Sequence, residues 1–520
     1  MTFEDYFSFE AIVGDLIRWR VKGKGVVDED GCRDVARVLP PRKAWSRAGA
    51  KERKGIDPEA VRKRAIWRTV MRHRRAGTLE ETEWGRKLAA IVDEVRGAVF
   101  SGNVEFEKPR MIKIPKGYKD GVQVFRDVAS FDGLADRVIL SRSTVYVRDM
   151  MEDVLGDCCY SFRRDPDRSH QLAIEHLQDW RKTHGIGAMY VAECDIMKFF
   201  DNIRHDVVRR CWVNAGFDPL AEKILGAYLA VYSSSDVERR GLPQGGSFST
   251  VLANLVLHEA DEAVQGIQDG NLFYARYCDD VAIAHTDETV CRNAMDAYKA
   301  ALAGLGLPVH PIEPFVYCPA DGKTTDYYAI KSKGPFRWGE PAIGEAECAP
   351  WVSFLGSQVR YDGETRIRRE SIEKHIRALG RETAKAVCIL KECETKGLLG
   401  NPLPPPAASM LRAWFARFRN RLIAKGVGYV TAKVKDCHLC WAGAFTRVTP
   451  CADTRMQMRR LDRVREGMLR KVWGLMPREC VRGLRRYKGK PFSYCGFLED
   501  AARPTNMARR RAVPLPYSEL

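Results

Sequence analysis

The chain has 520 residues, of which 45% are hydrophobic and 29% are charged, and this balance is typical of a soluble globular protein. One hydrophobic core does not fill this length, so we expect two to four packed units. No run of about 18 apolar residues is present, which argues against a membrane span, and the acidic N-terminus is unlike a signal peptide, which predicts a cytoplasmic location.

Charge points to a polyanionic partner. The 85 Lys and Arg residues outnumber the 68 Asp and Glu residues, which gives a formal net charge of +17. Counterion release then favours binding to nucleic acid first and to a membrane surface second. The 16 cysteines are irregularly spaced, so we predict free thiols. Cys437 and Cys440 have a metal-like spacing, but no second pair follows at zinc-ribbon distance, which favours buried or incidental cysteines.

Basic residues cluster between residues 40 and 100. Apolar side chains recur among them at helical spacing, which predicts a basic amphipathic helix. These positions are Val61, Ile66, Trp67, Val70 and Met71. Such a helix fits an RNA-contacting surface and an ordinary solvated face equally well.

The last third of the chain has a mainly helical pattern. A long helical stretch is closed by Gly397, which is a helix stop signal. The proline-rich residues 401–408 predict a hinge before further basic helices, which continue to about residue 475.

Three aspartates stand next to predicted strands. Residues 189–192 are typical of a buried strand, and Asp195 follows its end. About eighty residues later, Asp279 and Asp280 lie between two short apolar segments, a pattern that predicts a β-hairpin with both acids at its turn. If this hairpin pairs beside the first strand, three carboxylates converge. Cations must then fill the cluster, because an uncompensated buried carboxylate is costly.

Magnesium suits such a cluster, since Mg²⁺ prefers oxygen ligands and commonly binds a few carboxylates together with substrate phosphates. Two ions can activate an attacking 3′-hydroxyl and stabilise the leaving pyrophosphate oxygen. The predicted chemistry is therefore nucleotidyl transfer with two Mg²⁺ ions, for which Mn²⁺ can substitute. A solvated turn is the alternative for an Asp-Asp pair taken alone.

A glycine-rich segment lies between the aspartates. Residues 241–246 combine Gly and Pro as a tight turn does, and an amphipathic helix is predicted after them. The inward positions of that helix are Phe248, Val251, Leu252, Leu255, Val256 and Ala260. Gly245 and Gly246 would let the backbone approach a nucleic-acid base pair closely. A plain turn before a core helix fits the same residues.

Six motifs, taken in chain order, closely resemble the reverse transcriptase family, particularly the bacterial branch with group II intron and retron enzymes. They are KPRMIKIP, YSFRRDPDRS, DIMKFFD, GLPQGG with its following helix, RYCDD and WVSFLGSQV, and they span about residues 106–360. The resemblance implies an α+β right-hand polymerase with fingers, a palm of antiparallel sheet with packed helices, and a helical thumb.

The resemblance implies roles for single residues. Asp195, Asp279 and Asp280 match the catalytic metal-binding carboxylates, and the Ile196 carbonyl matches a further metal ligand. Phe200 matches the steric gate that excludes a 2′-hydroxyl, which makes dNTPs the expected substrates.

Further matches concern substrate and nucleic acid. Arg110 resembles the fingers arginine that contacts the triphosphate, and Lys108 or Lys113 either assists it or is simply solvated. Gln244 corresponds to the glutamine near the nascent base pair. Template or primer contacts are implied for Gly245, Gly246, Tyr277, Phe354, Leu355 and Gly356. Pro and Glu replace the lysine that the family has after its aspartate pair, so the general acid stays open, with Lys323 as one candidate.

The implied domains follow the motifs. They are a basic helical N-terminal extension over 1–103, fingers over 104–190, a palm with fingers insertions over 191–362, a helical thumb or maturase-like region over 363–490, and a C-terminal tail over 491–520. After residue 480, nothing resembles the endonuclease domain of intron enzymes.

The implied function is that of an RNA-directed DNA polymerase, which uses an RNA template and dNTPs and makes DNA. Similarity to stand-alone bacterial enzymes favours antiphage defence, a structured noncoding RNA as partner, and a homo-oligomer as one form of the protein. Two alternatives stay open: a group II intron or retroelement reverse transcriptase with a splicing role, and a template-independent DNA polymerase.

Overall fold

The structure is a computed structural model. It describes residues 1–27, 31–41, 58–119, 122–165, 168–185, 187, 189–233, 235, 239–313, 331–340, 348–399, 403–427, 430–431, 434–435, 440–477, 480 and 493–501. Cys437 and Lys323 lie outside these residues. None of the helices within them is long and apolar enough to cross a membrane.

The N-terminal region is helical. Its described residues form α1 (Phe3–Tyr6), α2 (Phe9–Val21), α3 (Asp34–Arg37), α4 (Pro58–Arg75) and α5 (Glu83–Ser101). Helix α4 is the predicted basic amphipathic helix, and it buries Ile66 and Val70 against α2. One hydrophobic core contains side chains from these helices together with Tyr146 and Leu252 further along the chain. The extension is therefore packed onto the body of the protein.

A β-hairpin follows. Among the described strands, β1 (Arg110–Lys119) and β2 (Val122–Ser130) pair only with each other, and they lead into helix α6 (Leu134–Met150). Met111, Ile114 and Phe125 are exposed on this hairpin. The hairpin is therefore a projection whose apolar side chains meet solvent.

The central sheet has the strand order β4-β5-β3-β7-β6, with β8 also pairing with β7. Its strands are β3 (Tyr190–Cys194), β4 (Phe273–Tyr277), β5 (Asp280–His285), β6 (Ile312–Glu313), β7 (Ser332–Trp338) and β8 (Cys348–Ala349). The β4–β5, β5–β3 and β3–β7 pairs are antiparallel, whereas β6 and β8 run parallel to β7.

Both faces of this sheet are covered. Val281 and Ile283 join the large core with helices α11 (Ser247–Gln265) and α12 (Glu288–Gly304), whereas Ala282 and Ala284 join a second core with α7 (His170–Thr183). This alternation follows the two-residue period of a strand. All six inward positions predicted on α11 are buried, which confirms that prediction. Between β3 and α11 lie α8 (Phe199–Asn202), α9 (His205–Asn214) and α10 (Pro219–Ala230).

A small sheet leads to the C-terminal helices. Strands β9 (Trp351–Phe354), β10 (Ser357–Arg360) and β11 (Thr365–Ile367) are antiparallel neighbours. They are followed by α13 (Arg369–Thr395), α14 (Pro405–Val427), the short strands β12 (Val430–Thr431) and β13 (Val434–Lys435), a 3₁₀ turn (Ala442–Phe445), α15 (Ala452–Trp473) and α16 (Tyr494–Ala501).

Two details of this helical region bear on the predictions. Gly397 has a φ of +66° just after α13 and confirms the predicted helix stop. Of the segment predicted as a hinge, residues 401–402 lie outside the described residues, and Pro405 begins α14, a position that tolerates proline because its N–H is not needed there.

The tail predicted from residue 491 is wrong for the part that forms α16. Tyr494, Phe497 and Leu498 are buried in one core with Leu461 of α15. Residues 502–520 lie outside the described residues. The fourteen cysteines in the described part are thiols and not disulfides, as predicted, and Cys440 is buried among protein atoms.

Candidate active site

The three aspartates meet at one end of the central sheet. Cys194 of β3 lies opposite Val281 of β5, so the residues one step further, Asp195 and Asp280, face each other. Tyr277 pairs with Asp280 across β4 and β5, which makes residues 278–279 a two-residue turn. The predicted hairpin and its place beside β3 are confirmed, but only Asp279 of the two acids lies in the turn, since Asp280 begins β5. The metal-binding role of the aspartates stays a prediction.

Negative charge is concentrated at this end of the central sheet. Solvent reaches Asp280, yet protein atoms crowd its carboxylate. This desolvation, followed by the charges of Asp279 and Asp195, raises the pKa of Asp280 to about 7. The positive charge of Arg368 offsets only part of this rise. This end of the sheet therefore favours binding of positive charge.

Lys331 supplies part of that charge. Its Nζ lies 2.9 Å from Asp195 Oδ2 and 3.0 Å from His310 Nε2. The backbone of Asp195 is fixed as well, since its N–H donates to Ser332 Oγ at 3.1 Å and its carbonyl accepts from the His310 N–H at 2.9 Å. Neither Lys331 nor His310 was predicted to belong to the site, because no local pattern marks them.

The donor set fits a divalent cation. In the described ranges, no three His, Cys, Asp or Glu side chains already surround a common metal position, and Lys331 engages Asp195 instead. The three carboxylates nevertheless share one edge, and carboxylate and carbonyl oxygens are the ligands that Mg²⁺ prefers. An isolated β-bridge joins Ile196 and Val309. Its two hydrogen bonds run from the Met197 N–H to the Pro308 carbonyl and from the His310 N–H to the Asp195 carbonyl, so neither involves the Ile196 carbonyl.

The two phenylalanines after Asp195 differ in burial. Phe199 is buried in the core, as predicted, whereas Phe200 is half-buried and packs on it, with the ring centroids 5.2 Å apart. The Phe200 carbonyl accepts a hydrogen bond from the Leu242 N–H at 2.8 Å. This bond ties the segment after Asp195 to the glycine-rich loop. The steric-gate role of Phe200 stays a prediction.

The glycine-rich loop contacts the β1–β2 hairpin. The Ala129 N–H donates to the Gln244 carbonyl at 2.8 Å. Gly245 has a φ of +99°, and a Cβ there would lie 2.3 Å from Val128 Cγ1. The close approach at Gly245 is thus made by this chain's own hairpin, which the sequence did not reveal. Gly246 has ordinary space, and contact of either glycine with nucleic acid stays a prediction.

Gln244 and Arg110 each contact an aspartate. Gln244 Nε2 donates to Asp201 Oδ1 at 3.4 Å. At the base of the hairpin, Arg110 donates from Nε and Nη2 to the two oxygens of Asp132 at 2.8 and 3.1 Å. Both Arg110 and Asp132 remain exposed to solvent. Asp132 therefore aligns the guanidinium without burying it, while Lys108 and Lys113 are exposed on the same segment.

The primer-grip match is a second tight turn. Phe354 and Ser357 pair across β9 and β10, so Leu355 and Gly356 form the turn, with φ of +48° and +79°. Phe354 is buried, and the Gly356 carbonyl accepts from the Arg368 N–H at 2.9 Å. The positive charge of Arg368 opposes part of the rise in the pKa of Asp280. This turn therefore lies close enough to the aspartates to affect them.

Residues with strained backbone conformations lie near the three aspartates in the chain or in the fold. The non-glycine residues with positive φ in the described ranges are Phe162, Lys198, Cys278 and Leu355. Cys278 and Leu355 form the two turns above, and Lys198 follows Asp195. The Phe162 ring lies 6.2 Å from that of Tyr277. Such conformations persist only where the surroundings enforce them, and they are common at functional sites.

A projecting hairpin, a glycine-rich loop and three aspartates at one end of an antiparallel sheet define a right-hand polymerase palm with fingers. Residues 137–312 match the family model for reverse transcriptase (RNA-dependent DNA polymerase), and this range contains all three aspartates. This region of the chain is therefore similar to reverse transcriptases, among them a group II intron-encoded protein.

Its relatives match it over limited segments. Protein YkfC of Escherichia coli K12 is 28% identical over 184 residues, which are 34% of this chain and 46% of YkfC. Group II intron-encoded protein LtrA of Lactococcus lactis subsp. cremoris is 30% identical over 133 residues, which are 25% of this chain and 21% of LtrA. This chain therefore spans less than half the length of these curated relatives.

A solved structure gives a wider but weaker match. Telomerase from Candida albicans, in complex with a fragment of telomeric RNA, aligns over 82% of this chain and 80% of that chain, with 9% sequence identity and a TM-score of 0.34.

Proposed function

We propose that this protein is an RNA-directed DNA polymerase that adds dNTPs to a 3′-hydroxyl with two Mg²⁺ ions. The observation that carries this proposal is the register that sets Asp195 opposite Asp280, with Asp279 in the adjoining turn. These carboxylates, with the Ile196 carbonyl, would hold the ions. Bound there, Mg²⁺ supplies activation of the hydroxyl nucleophile and stabilisation of the leaving oxygen.

Other side chains would then select the substrate. Arg110 presents its guanidinium in a fixed direction because Asp132 binds it through two hydrogen bonds, and such a fork suits a triphosphate. The half-buried ring of Phe200 would meet the sugar and exclude a 2′-hydroxyl. Gln244 would lie at the nascent base pair, at the loop that also contacts the fingers hairpin.

An RNA partner is supported by charge. The solvent face of α4 carries Arg64, Arg68, Arg72 and Arg75, all of them exposed. Within the described part of the chain, none of the four forms a salt bridge. Unneutralised cations spaced along one helix face bind phosphates and release counterions. We therefore assign this face to a template RNA or a structured RNA bound to the protein.

The test is primer extension on an RNA template with dNTPs and Mg²⁺. Replacing both Asp279→Asn and Asp280→Asn should abolish extension and leave RNA binding intact, since amides keep the volume but lose the charge. Asp296→Asn, on an exposed part of α12, is the matched control and should extend like wild type. Undiminished synthesis by the double variant would exclude the proposed function.

Two alternative activities are tested separately, one by the DNA products and one by intron splicing. A template-independent polymerase gives DNA that matches no RNA in the reaction, so the products are sequenced with and without co-purified RNA. The similarity to an intron-encoded protein favours a splicing role as the second candidate. If Asp279→Asn leaves the protein fully functional in intron splicing, the RNA-binding role wins over catalysis.

The biological setting that we propose is the bacterial cytoplasm, where the enzyme would copy a structured noncoding RNA during antiphage defence. The net charge of +17 supports the RNA partner, and the resemblance to stand-alone bacterial reverse transcriptases supports the defence role. Cells that express wild type or Asp279→Asn are challenged with phage, and equal plaque numbers would exclude this role. Light scattering of the purified protein tests for the homo-oligomer.

A further inference from the structure

A fully buried ion pair lies next to the two-residue turn formed by Cys278 and Asp279. Arg276 of β4 donates from Nε to Asp261 Oδ1 at 2.7 Å and from Nη2 to Asp261 Oδ2 at 2.5 Å, and neither side chain is exposed. The Tyr274 hydroxyl also donates to Asp261 Oδ1, at 2.7 Å. Asp261 belongs to α11, the helix after the glycine-rich loop. The pair therefore joins that helix to the strand that leads into the turn.

The same guanidinium reaches the turn itself. Arg276 Nη1 donates to the carbonyl of Cys278 at 3.3 Å and to Asn254 Oδ1 at 3.0 Å. Asn254 Oδ1 also accepts from Ser161 Oγ at 3.0 Å, and Asn254 Nδ2 donates to the Ser161 carbonyl at 2.7 Å. Ser161 Oγ finally accepts from the Cys278 N–H at 2.9 Å. The network thus holds both backbone polar groups of Cys278.

Cys278 needs this support. Its φ of +60° lies in the left-handed region, which a residue with a Cβ adopts only under constraint. Asp279 and Asp280 follow directly, so the conformation of Cys278 sets the direction of both carboxylates. A relaxed Cys278 would turn them away from Asp195.

The backbone brings Ser161 to this position. The Arg276 N–H donates to the Cys158 carbonyl at 2.8 Å, and the Tyr160 N–H donates to the Arg276 carbonyl at 2.9 Å. The segment before Ser161 thus runs along the outer side of β4. Three parts of the chain meet at the turn: this segment, α11 and β4.

Stability alone does not explain such a network. Taking two charges fully out of water costs about as much as their attraction returns, so a buried pair is weak evidence for stability. A bidentate pair does fix direction, because guanidinium and carboxylate match in only one plane. Here the direction that is fixed is that of Nη1, which points at the turn.

We propose that Ser161, Asn254 and Arg276 are positioning residues that hold the Cys278–Asp279 turn in its strained conformation and so place Asp279 and Asp280 opposite Asp195. The inference rests on the proposed function, because the direction of these carboxylates matters only if they act together. None of the three residues would touch the substrate.

Ser161→Ala tests the inference with one oxygen atom removed. We expect kcat for primer extension to fall roughly tenfold, since small displacements of reacting groups have large effects on rate. The KM for dNTP should change little, and half-saturation with Mg²⁺ should need more metal. Hydrogen exchange in a peptide that contains residues 277–281 should become faster, since the Cys278 N–H loses its acceptor. This exchange measurement does not depend on activity.

The matched control is Ser143→Ala. Ser143 is also buried, but its hydroxyl has no hydrogen-bond partner among the described residues, so kcat, metal dependence and exchange should match wild type. Arg276→Lys is the second variant: it keeps the charge but cannot bind Asp261 in two places and Asn254 at once. It should shift the same three measurements as Ser161→Ala.

The outcomes separate the two proposals. If exchange and kcat in Ser161→Ala both match wild type, the positioning role is overturned, whether or not the melting temperature falls. If wild type itself extends no primer while Ser161→Ala still exchanges faster at residues 277–281, the positioning of the turn stands and the polymerase function fails.

Discussion

Asp195 and Asp280 face each other across the ends of β3 and β5, but their surroundings differ. Asp195 binds the Lys331 ammonium at 2.9 Å. Asp280 forms no salt bridge with a described residue, and the neighbouring charges of Asp279 and Asp195 add to the desolvation that raises its pKa to about 7. At neutral pH, this opposed pair therefore has one compensated carboxylate and one that partly retains its proton.

The first prediction concerns the pH dependence of stability without divalent metal. Because folding raises the pKa of Asp280 from about 3.8 to about 7, the native state holds a proton that the unfolded chain has lost between these values. The stability that this raised pKa contributes is fully present below about pH 3.8 and is lost as the pH rises through about 7. In EDTA, Asp280→Asn should melt above wild type at pH 8 by a few degrees.

The control for this prediction is Asp296→Asn, whose exposed pair with Lys299 contributes little. Melting curves are recorded from pH 5 to 8. Added Mg²⁺ should narrow the gap between wild type and Asp280→Asn, because the cation stabilises only the charged carboxylates. Parallel pH profiles of the two proteins would contradict the raised pKa.

The second prediction concerns Lys331→Met. The ammonium lies where a divalent cation would approach Asp195, so its removal leaves more negative charge and should strengthen Mn²⁺ binding several-fold. The measurement is a calorimetric titration with Mn²⁺. Lys396→Met removes a lysine that pairs with Glu392 on a distant helix, and it should bind Mn²⁺ like wild type. Weaker binding by Lys331→Met would show that Lys331 supports the site.

How far the sequence predicts the site depends on the distance between partners along the chain. The turn at Asp279 was predictable because apolar segments flank it closely, and the inward face of α11 was predictable from its helical period. The Lys331–Asp195 contact joins residues 136 positions apart, and the Cys278–Ser161 bond joins residues 117 positions apart. No local pattern contains such pairs, because sheet pairing creates them.

One error had a detectable local cause. Tyr494, Phe497 and Leu498 follow a three-and-four spacing, the mark of a helix with one apolar face. The basic and proline-rich end of the chain concealed that short signal and led to the predicted tail. Gly245 illustrates a different limit: its need for glycine was predicted from close approach of the loop to a nucleic-acid base pair, whereas the close neighbour within the structure is the Val128 side chain of this chain.

The third prediction is a coupling between Gly245 and Val128. Gly245→Ala places a Cβ 2.3 Å from Val128 Cγ1 on a backbone with φ of +99°. We expect a loss of about 2 kcal/mol in the free energy of unfolding, together with lower primer extension. Gly245→Ala with Val128→Ala should regain part of the loss, because the steric part disappears and the backbone part remains.

Gly246→Ala is the control for Gly245→Ala, since its Cβ would meet only ordinary contacts at a φ of −80°. It should cost well under the loss seen for Gly245→Ala in denaturant unfolding. Equal losses at the two glycines would show that the fingers contact does not select Gly245.

The fourth prediction concerns the sugar. Phe200→Ala should raise the use of rNTPs relative to dNTPs by about tenfold or more, because a cavity replaces the ring that would meet the 2′-hydroxyl. The ratio of kcat/KM for the two substrates measures this. Phe199→Leu, in the adjacent core position, should leave the ratio unchanged. A constant ratio in Phe200→Ala would remove the steric-gate assignment.

The fifth prediction concerns RNA binding by α4. Arg68→Gln with Arg72→Gln should weaken binding of any RNA sequence and reduce the slope of log affinity against log salt by roughly one per arginine. Arg74→Gln provides the control on the same helix, because Arg74 is already engaged by Glu10 and lies over the Phe9 ring. Its salt slope should match wild type. If all three substitutions reduce the slope equally, net charge alone attracts the RNA; if only the first two do, the RNA lies along the exposed face of α4.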